Sequence, residues 1–294
     1  MVEVFLGREA LGDGLTRHEL RRWYRTMFRG VYVTKGVRLA LTDRAVGAWL
    51  TSNRSGVIAG VAASALHGAA WVDDAEPIEI LVDERRRQSG LVVRMDRYTD
   101  DEVAEIAQLP VTNSARTAFD LGRHQPRAEA LSRMDALMRV APFNAGDVEA
   151  LVRRYGPVRG IRQLRTLLPL VDAGAASPKE SWLRLLLIDG GLPRPETQIP
   201  VLDSGGYPFA YLDMGWRSIK LAVEYDGDQH RTDRRQYVKD LRRLPMITDL
   251  GWETIRVIAE DRPAQVLHRV REAFERRGGF EINEMVGSTR TFAA

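Results

Sequence analysis

Apolar and polar positions follow two periods along the chain, and the changes of period mark its elements. In the last third, Thr197–Leu202, Pro208–Trp216, Ile219–Tyr225 and Trp252–Ile258 read as strands. Asp203-Ser204-Gly205-Gly206 reads as the hairpin turn between the first two. Ser177-Pro178-Lys179-Glu180 opens a helix to about Asp189, with Pro178 at its first position. Gly190-Gly191-Leu192-Pro193 breaks it. A basic helix over Arg234–Leu250 and a closing helix over Pro263–Arg276 complete an order α-β-β-β-α-β-α.

The middle of the chain is less regular. Ala45–Leu50 and the small-residue run Val57–His67 read as helices. Pro77–Val82 and Leu91–Met95 alternate as strands, with Arg85-Arg86-Arg87-Gln88 as a loop between them. Helices follow at 114–122, 127–140, 144–155 and 158–168, then a small, flexible stretch from Asp172 to Pro178. Near the N-terminus, Thr16-Arg17-His18-Glu19 is a capping box. Leu20, Trp23, Tyr24 and Met27 recur at helical spacing as one buried face, with Arg17, Arg21 and Arg25 on another stripe beside Arg22. Arg29-Gly30-Val31-Tyr32-Val33 and the turn Lys35-Gly36 then suggest a β-hairpin. Helix, turn, basic helix and hairpin is the shape of a winged helix-turn-helix, whose second helix enters the major groove. An amphipathic helix with a solvated arginine face is the competing reading. The expected class is α+β and multidomain: a winged helix at 1–44, an α+β middle domain with a helical second half at 45–172, a C-terminal domain at 177–277 and a tail at 278–294.

Composition narrows the function. The 294 residues are 44% hydrophobic and 28% charged, the balance of a globular protein, with a net charge of only +3. That excess is localised: residues 1–44 carry nine basic and five acidic side chains, whereas 177–294 carry 18 of each. There is no cysteine, which excludes disulfides, thiolate metal sites and a cysteine nucleophile. The N-terminus lacks the basic start and apolar run of a signal peptide. Val57–Val72, the most apolar stretch, is shorter than a membrane span. A cytoplasmic protein with no membrane partner is expected.

The candidate chemistry is a set of carboxylates. Asp213 and Glu224 each follow an apolar stretch, Phe209–Leu212 and Leu221–Val223, where a core residue would be expected. Glu224 and Asp226 are two apart, so an extended strand puts both on one face, with Lys220 and Ala222 sharing that parity. Converging carboxylates need a cation, and hard oxygen ligands suit Mg²⁺ or Mn²⁺. Asp213, Glu224 and Asp226 are the candidate ligands. Glu180 is a further ligand or only the acidic member of a capping box with Ser177. His230 is a candidate general base or a surface histidine, and Asp226-Gly227 is also a common turn dipeptide.

From Ser177 to Ala273 the chain resembles the PD-(D/E)xK nucleases, specifically their very-short-patch-repair (Vsr-like) branch. The resemblance rests on Ser-Pro-Lys-Glu with Trp182-Leu183-Arg184, on Tyr211-Leu212-Asp213, on Val223-Glu224-Tyr225-Asp226-Gly227 with His230, on Lys239-Asp240-Leu241-Arg242-Arg243, and on Leu250 to Val257. It implies a restriction-endonuclease-like αβββαβα domain and Mg²⁺-dependent phosphodiester hydrolysis. Asp213 matches the central metal-binding aspartate and Glu224 the acidic residue of the signature. His230, Asp240 and Glu180 match further family positions. Asp226 stands where the general signature has lysine, which leaves the activation of water open, with Lys220 as a stand-in. The first two-thirds resemble the AbiEi-type antitoxins and transcriptional regulators through Leu15 to Leu20, Arg29 to Val33, Ala62 to Gly68 and Val111 to Leu121. That group implies DNA binding by a winged helix.

Two functions are therefore expected. The first is a DNA endonuclease in repair or defence. Arg17, Arg21, Arg22, Arg25 and Arg29 would bring it to DNA, and Arg231, Arg234, Arg235, Arg242 and Arg243 would hold phosphates near the metal. The alternative is a non-catalytic DNA-binding regulator or antitoxin with a degenerate nuclease domain. DNA is the common partner; a toxin partner and a homodimer stay open.

Overall fold

The computed structural model describes residues 3–83, 88–227 and 243–279. The expectations for His230, Arg231, Arg234, Arg235, Asp240 and Arg242 lie outside these residues, as do Arg85 to Arg87 and all of the tail beyond Gly279. The chain is a multidomain α+β protein. It divides into two compact units, Met1–Val171 and Asp172–Ala294.

The first unit begins with β1 (Val4–Leu6), α1 (Gly7–Gly12), α2 (Arg17–Trp23), β2 (Tyr24–Phe28) and β3 (Val31–Thr34). The three strands form an antiparallel sheet in the order β1-β3-β2. The capping box of α2 forms: Thr16 Oγ1 accepts from the Glu19 N–H at 3.2 Å, and Glu19 accepts from the Thr16 N–H at 2.9 Å. The expected buried face corrects itself here. Only Leu20 is buried on α2, Trp23 is 55% exposed, and Tyr24 already belongs to β2. The chain turns extended because Tyr24–Phe28 pairs with β3 across the tight Arg29-Gly30 turn, and this hairpin pairing overrides helical periodicity.

Residue 44 is not a core boundary. Leu6, Phe28 and Val31 share one hydrophobic cluster with Leu41, Ala45 and Ala48 of α3 (Leu41–Thr51). The same cluster takes in Ile58, Ile78, Ile80 and Val111 of a five-stranded sheet. That sheet runs β6-β5-β4-β8-β7, from β4 (Val57–Ala59), β5 (Ile78–Leu81), β6 (Leu91–Arg94), β7 (Val103–Ile106) and β8 (Leu109–Thr112). The expected helix at Val57–His67 is thus a strand followed by α4 (Gly60–Leu66). The β-branched Val57 and Ile58 fill the central strand, and Gly60 makes the corner at φ +57°, where a Cβ would lie 2.3 Å from Glu79 Oε1. Helices α5 (Ser114–His124), α6 (Arg127–Val140), α7 (Ala145–Tyr155) and α8 (Ile161–Leu167) build a second cluster around Phe119, Leu121, Met134 and Leu164.

The second unit follows the expected order more closely. It contains α9 (Pro178–Asp189), β9 (Glu196–Leu202), β10 (Pro208–Trp216), β11 (Leu221–Tyr225), helical residues 243–249, β12 (Glu253–Val257) and α10 (Pro263–Arg276). Its sheet runs β12-β11-β10-β9, with β11 and β12 parallel and the other pairs antiparallel. One hydrophobic cluster joins Leu183 and Leu187 of α9 and Val266 and Val270 of α10 to Met214, Trp216 and Val223. A second joins Ile247 to Ile199, Leu212 and Ala222. The stretch from Asp172 is not a loose linker. The Asp172 carboxylate accepts from the Gly174 N–H at 2.8 Å and from Thr197 Oγ1 at 3.1 Å, which pins it to β9.

Candidate functional site

In the second unit the β10–β11 ladder pairs Trp216 with Leu221, Gly215 with Ala222 and Met214 with Val223. The next step along both strands brings in Asp213 and Glu224. There the Tyr225 N–H donates to Asp213 Oδ2 at 3.0 Å, so a side-chain carboxylate takes a strand amide. Glu224 is only 6% exposed. Arg243, at the head of the helical stretch 243–249, donates to its two oxygens at 3.2 and 3.4 Å and to the Tyr211 carbonyl at 3.3 Å. An aspartate within β10, a buried glutamate near the end of β11 and a guanidinium therefore meet on adjacent elements.

Three expectations change. Asp226 lies past the end of β11, where alternation of faces no longer applies; its N–H donates to the Val257 carbonyl at 2.8 Å and its carboxylate sits 3.8 Å from Arg256. Among the described residues, Asp96, Asp120 and His124 form the one group of three or more His or acidic side chains whose ligand atoms all lie within 4.8 Å of one another. The expected trio of Asp213, Glu224 and Asp226 is not drawn together to that degree. Lys220 does not stand in for a lysine of the site. It precedes β11 in a left-handed turn at φ +50°, at the strand end opposite Glu224, and its ammonium donates to the Leu250 carbonyl at 2.9 Å. Glu180 realises the capping alternative: it accepts from Ser177 Oγ and from the Ala176 N–H, both at 2.9 Å.

In the first unit Arg17, Arg21, Arg22, Arg25 and Arg29 are all exposed. Arg17, Arg21 and Arg22 lie on α2, Arg25 on β2 and Arg29 in the turn after it. Arg22 stacks on the exposed Trp23 ring at 4.9 Å. Lys35 donates to the Arg21 and Arg22 carbonyls at 2.6 and 3.0 Å, which ties the end of α2 to the β2–β3 hairpin. Helix and hairpin thus present their cations together.

A second polar cluster was missed in the sequence. Arg116, fully buried on α5, donates to Asp120 Oδ2 at 2.9 Å and to Glu102. Glu102 also accepts from Tyr155 and from Arg154, and Arg123 bridges Asp120 and Asp96 beside His124. Burial pulls the Glu102 carboxyl upward, but donors from Tyr155, Arg116, Arg154 and Thr99 outweigh it and hold it below its ordinary value. Burial also pushes the Asp96 carboxyl upward, but the Arg123 guanidinium beside it outweighs burial and holds it below its ordinary value. For Asp120 burial wins and the carboxyl is pushed up. Burial, then the cations Arg94 and Arg123, depress the His124 imidazole to about 3. The guanidinium of Arg123 already lies between Asp96, Asp120 and His124, so this group is a structural brace more than a cation site. Its signal was available: Arg116, Asp120 and Arg123 recur at i, i+4, i+7 on the helix that carries Phe119 and Leu121.

No family model matches the chain, and no solved structure matches it. The chain is 32% identical over 168 residues to an uncharacterized protein of Mycobacterium tuberculosis strain CDC 1551 / Oshkosh, and equally to one of strain ATCC 25618 / H37Rv. The match spans 56% of this chain and 62% of each relative's length. Among the described residues no helix is long and apolar enough to cross a membrane.

Proposed function

We propose that this protein binds DNA through its first unit and hydrolyses phosphodiester bonds in its second, as a metal-dependent endonuclease. The observation that carries this reading is the meeting of Asp213 and Glu224 at the end of the β10–β11 ladder, with Arg243 paired to Glu224. The element order around that ladder supports a restriction-endonuclease-like domain. The α2–hairpin unit with its exposed arginines supports a winged helix in the first unit.

The donor set fits a hard divalent cation as a pair, Asp213 and Glu224, and does not require Asp226. Mg²⁺ or Mn²⁺ held there would polarise a phosphodiester and lower the pKa of a bound water. The chain's own residues do the rest. The Tyr225 N–H fixes the rotamer of Asp213, and the buried position of Glu224 excludes bulk water from one side. Arg243 and Arg256 supply charge for the two non-bridging oxygens of a phosphate. His230 stays the candidate proton acceptor.

A second reading is a non-catalytic DNA-binding regulator. It is favoured by the ion pairs on Glu224 and Asp226, which neutralise both carboxylates without a metal. One assay separates the two. Purified protein is incubated with plasmid, mismatched and single-stranded DNA in Mg²⁺ or Mn²⁺, beside Asp213→Ala and Glu224→Ala. Cleavage by the wild type that both variants lose supports the enzyme. Absence of cleavage with tight binding to the protein's own promoter supports the regulator.

A further inference from the structure

Arg243 has a geometry that bears on how a cation would enter the second unit. Its guanidinium spans both Glu224 oxygens at 3.2 and 3.4 Å and holds the Tyr211 carbonyl at 3.3 Å. The Glu224 side chain is 8% exposed and the Arg243 side chain 26% exposed. A buried carboxylate in a low-dielectric setting needs a cationic partner, and here a side chain supplies it. The same two oxygens are the ones a divalent cation would take. Two cations on one carboxylate repel each other at short range, so both cannot sit there at full strength. Arg243 also donates to the Tyr211 backbone carbonyl, a neutral contact it can trade for a phosphate oxygen.

We infer that Arg243 is a built-in substitute for the cation: its ion pair with Glu224 and divalent-cation binding at Asp213 and Glu224 exclude each other. Cation entry displaces the guanidinium toward the side from which a phosphate would approach. This inference rests on the endonuclease reading of the same site, and it adds an exchange step to that reading. It involves no bond making or breaking; one ionic contact replaces another. It also accounts for a metal-type carboxylate lying buried and neutralised by protein alone.

The test is a calorimetric titration of Mn²⁺ into the full-length protein without nucleic acid, with thermal unfolding measured alongside. Wild type, Arg243→Gln, Arg243→Lys and Glu224→Gln are compared. Arg243→Gln should bind Mn²⁺ at least about tenfold more tightly than wild type, since each ~1.4 kcal/mol of competing attraction is a factor of ten. Without metal it should melt lower than wild type, and saturating Mn²⁺ should recover more of its melting temperature than wild type gains. Arg243→Lys, which keeps one charge without the two-point contact, should fall between them and guards against a misfolded Gln variant. Equal Mn²⁺ affinity in wild type and both Arg243 variants, lost in Glu224→Gln, would overturn the exchange while sparing the site. Absence of Mn²⁺ binding in every protein would overturn the site and the exchange together.

Discussion

A carboxylate–arginine cluster of the first unit and one of the second differ in closure. In the first unit, Arg116, Glu102, Asp120 and Arg123 are each 0 to 7% exposed and hold one another across α5 and the turn before β7. In the second unit, Arg243 and Arg256 are 26% and 40% exposed and lie 3.2 and 3.8 Å from Glu224 and Asp226. Closed charges that pair with one another fix a fold. Half-open charges at strand ends leave room for another ligand. The same residue types thus serve as a brace in one unit and as a candidate site in the other, and position decides which.

The largest expected effect lies in the brace. Arg116→Ala leaves Glu102 and Asp120 buried without their shared guanidinium, and removing one partner of a buried pair costs about 3–5 kcal/mol. Urea unfolding should show that loss in the first unit. A change below about 1 kcal/mol would mean that the cluster is solvated in solution and would erase the contrast.

Acid should come next. His124 is depressed from 6.5 to about 3 in the folded state, so the unfolded chain takes up its proton first. The stability His124 contributes is complete above about pH 6.5 and falls as pH drops through that window, by an amount on the order of a few kcal/mol. The lowered carboxyls of Asp96 and Glu102 act in the same sense nearer pH 4, whereas Asp120, whose carboxyl is raised, opposes them. Denaturant midpoints from pH 7.5 to 4.5 should slope downward, and His124→Asn should flatten the upper part of that slope. An unchanged slope in the variant would place the effect elsewhere.

These expectations also mark what was legible in the sequence. Pro208–Trp216 and Pro263–Arg276 were readable to the residue, because local apolar spacing and the prolines at their starts agree with the tertiary structure. Tyr24–Phe28 and Val57–Ala59 were not, because strand pairing overrides a helical pattern nearby, with the adjacent hairpin strand for the first and with distant strands for the second. Asp213 and Glu224 stood out as charges at the ends of apolar strands. The partners that decide their state, Arg243 and the Tyr225 amide, come from sequence separations that spacing cannot reveal. The i, i+4, i+7 spacing of Arg116, Asp120 and Arg123 was legible, but not that their charges lie in the core beside Phe119 and Leu121.

The smallest effect should come from Lys220. Its ammonium is spent on the Leu250 carbonyl away from Glu224. Lys220→Ala should change stability by less than about 0.5–1 kcal/mol and leave Mn²⁺ binding and cleavage as in wild type. Loss of cleavage with stability intact would return this lysine to the site.

The contrast between brace and site is tested most directly by where a divalent cation binds. Mn²⁺ binding, followed by the loss of its free-ion paramagnetic resonance signal, is measured for wild type, Asp213→Asn, Glu224→Gln and Asp96→Asn. Binding should be abolished in Asp213→Asn and Glu224→Gln and kept in Asp96→Asn. Binding that survives both second-unit substitutions, or that disappears with Asp96→Asn alone, would contradict the assignment of the two clusters.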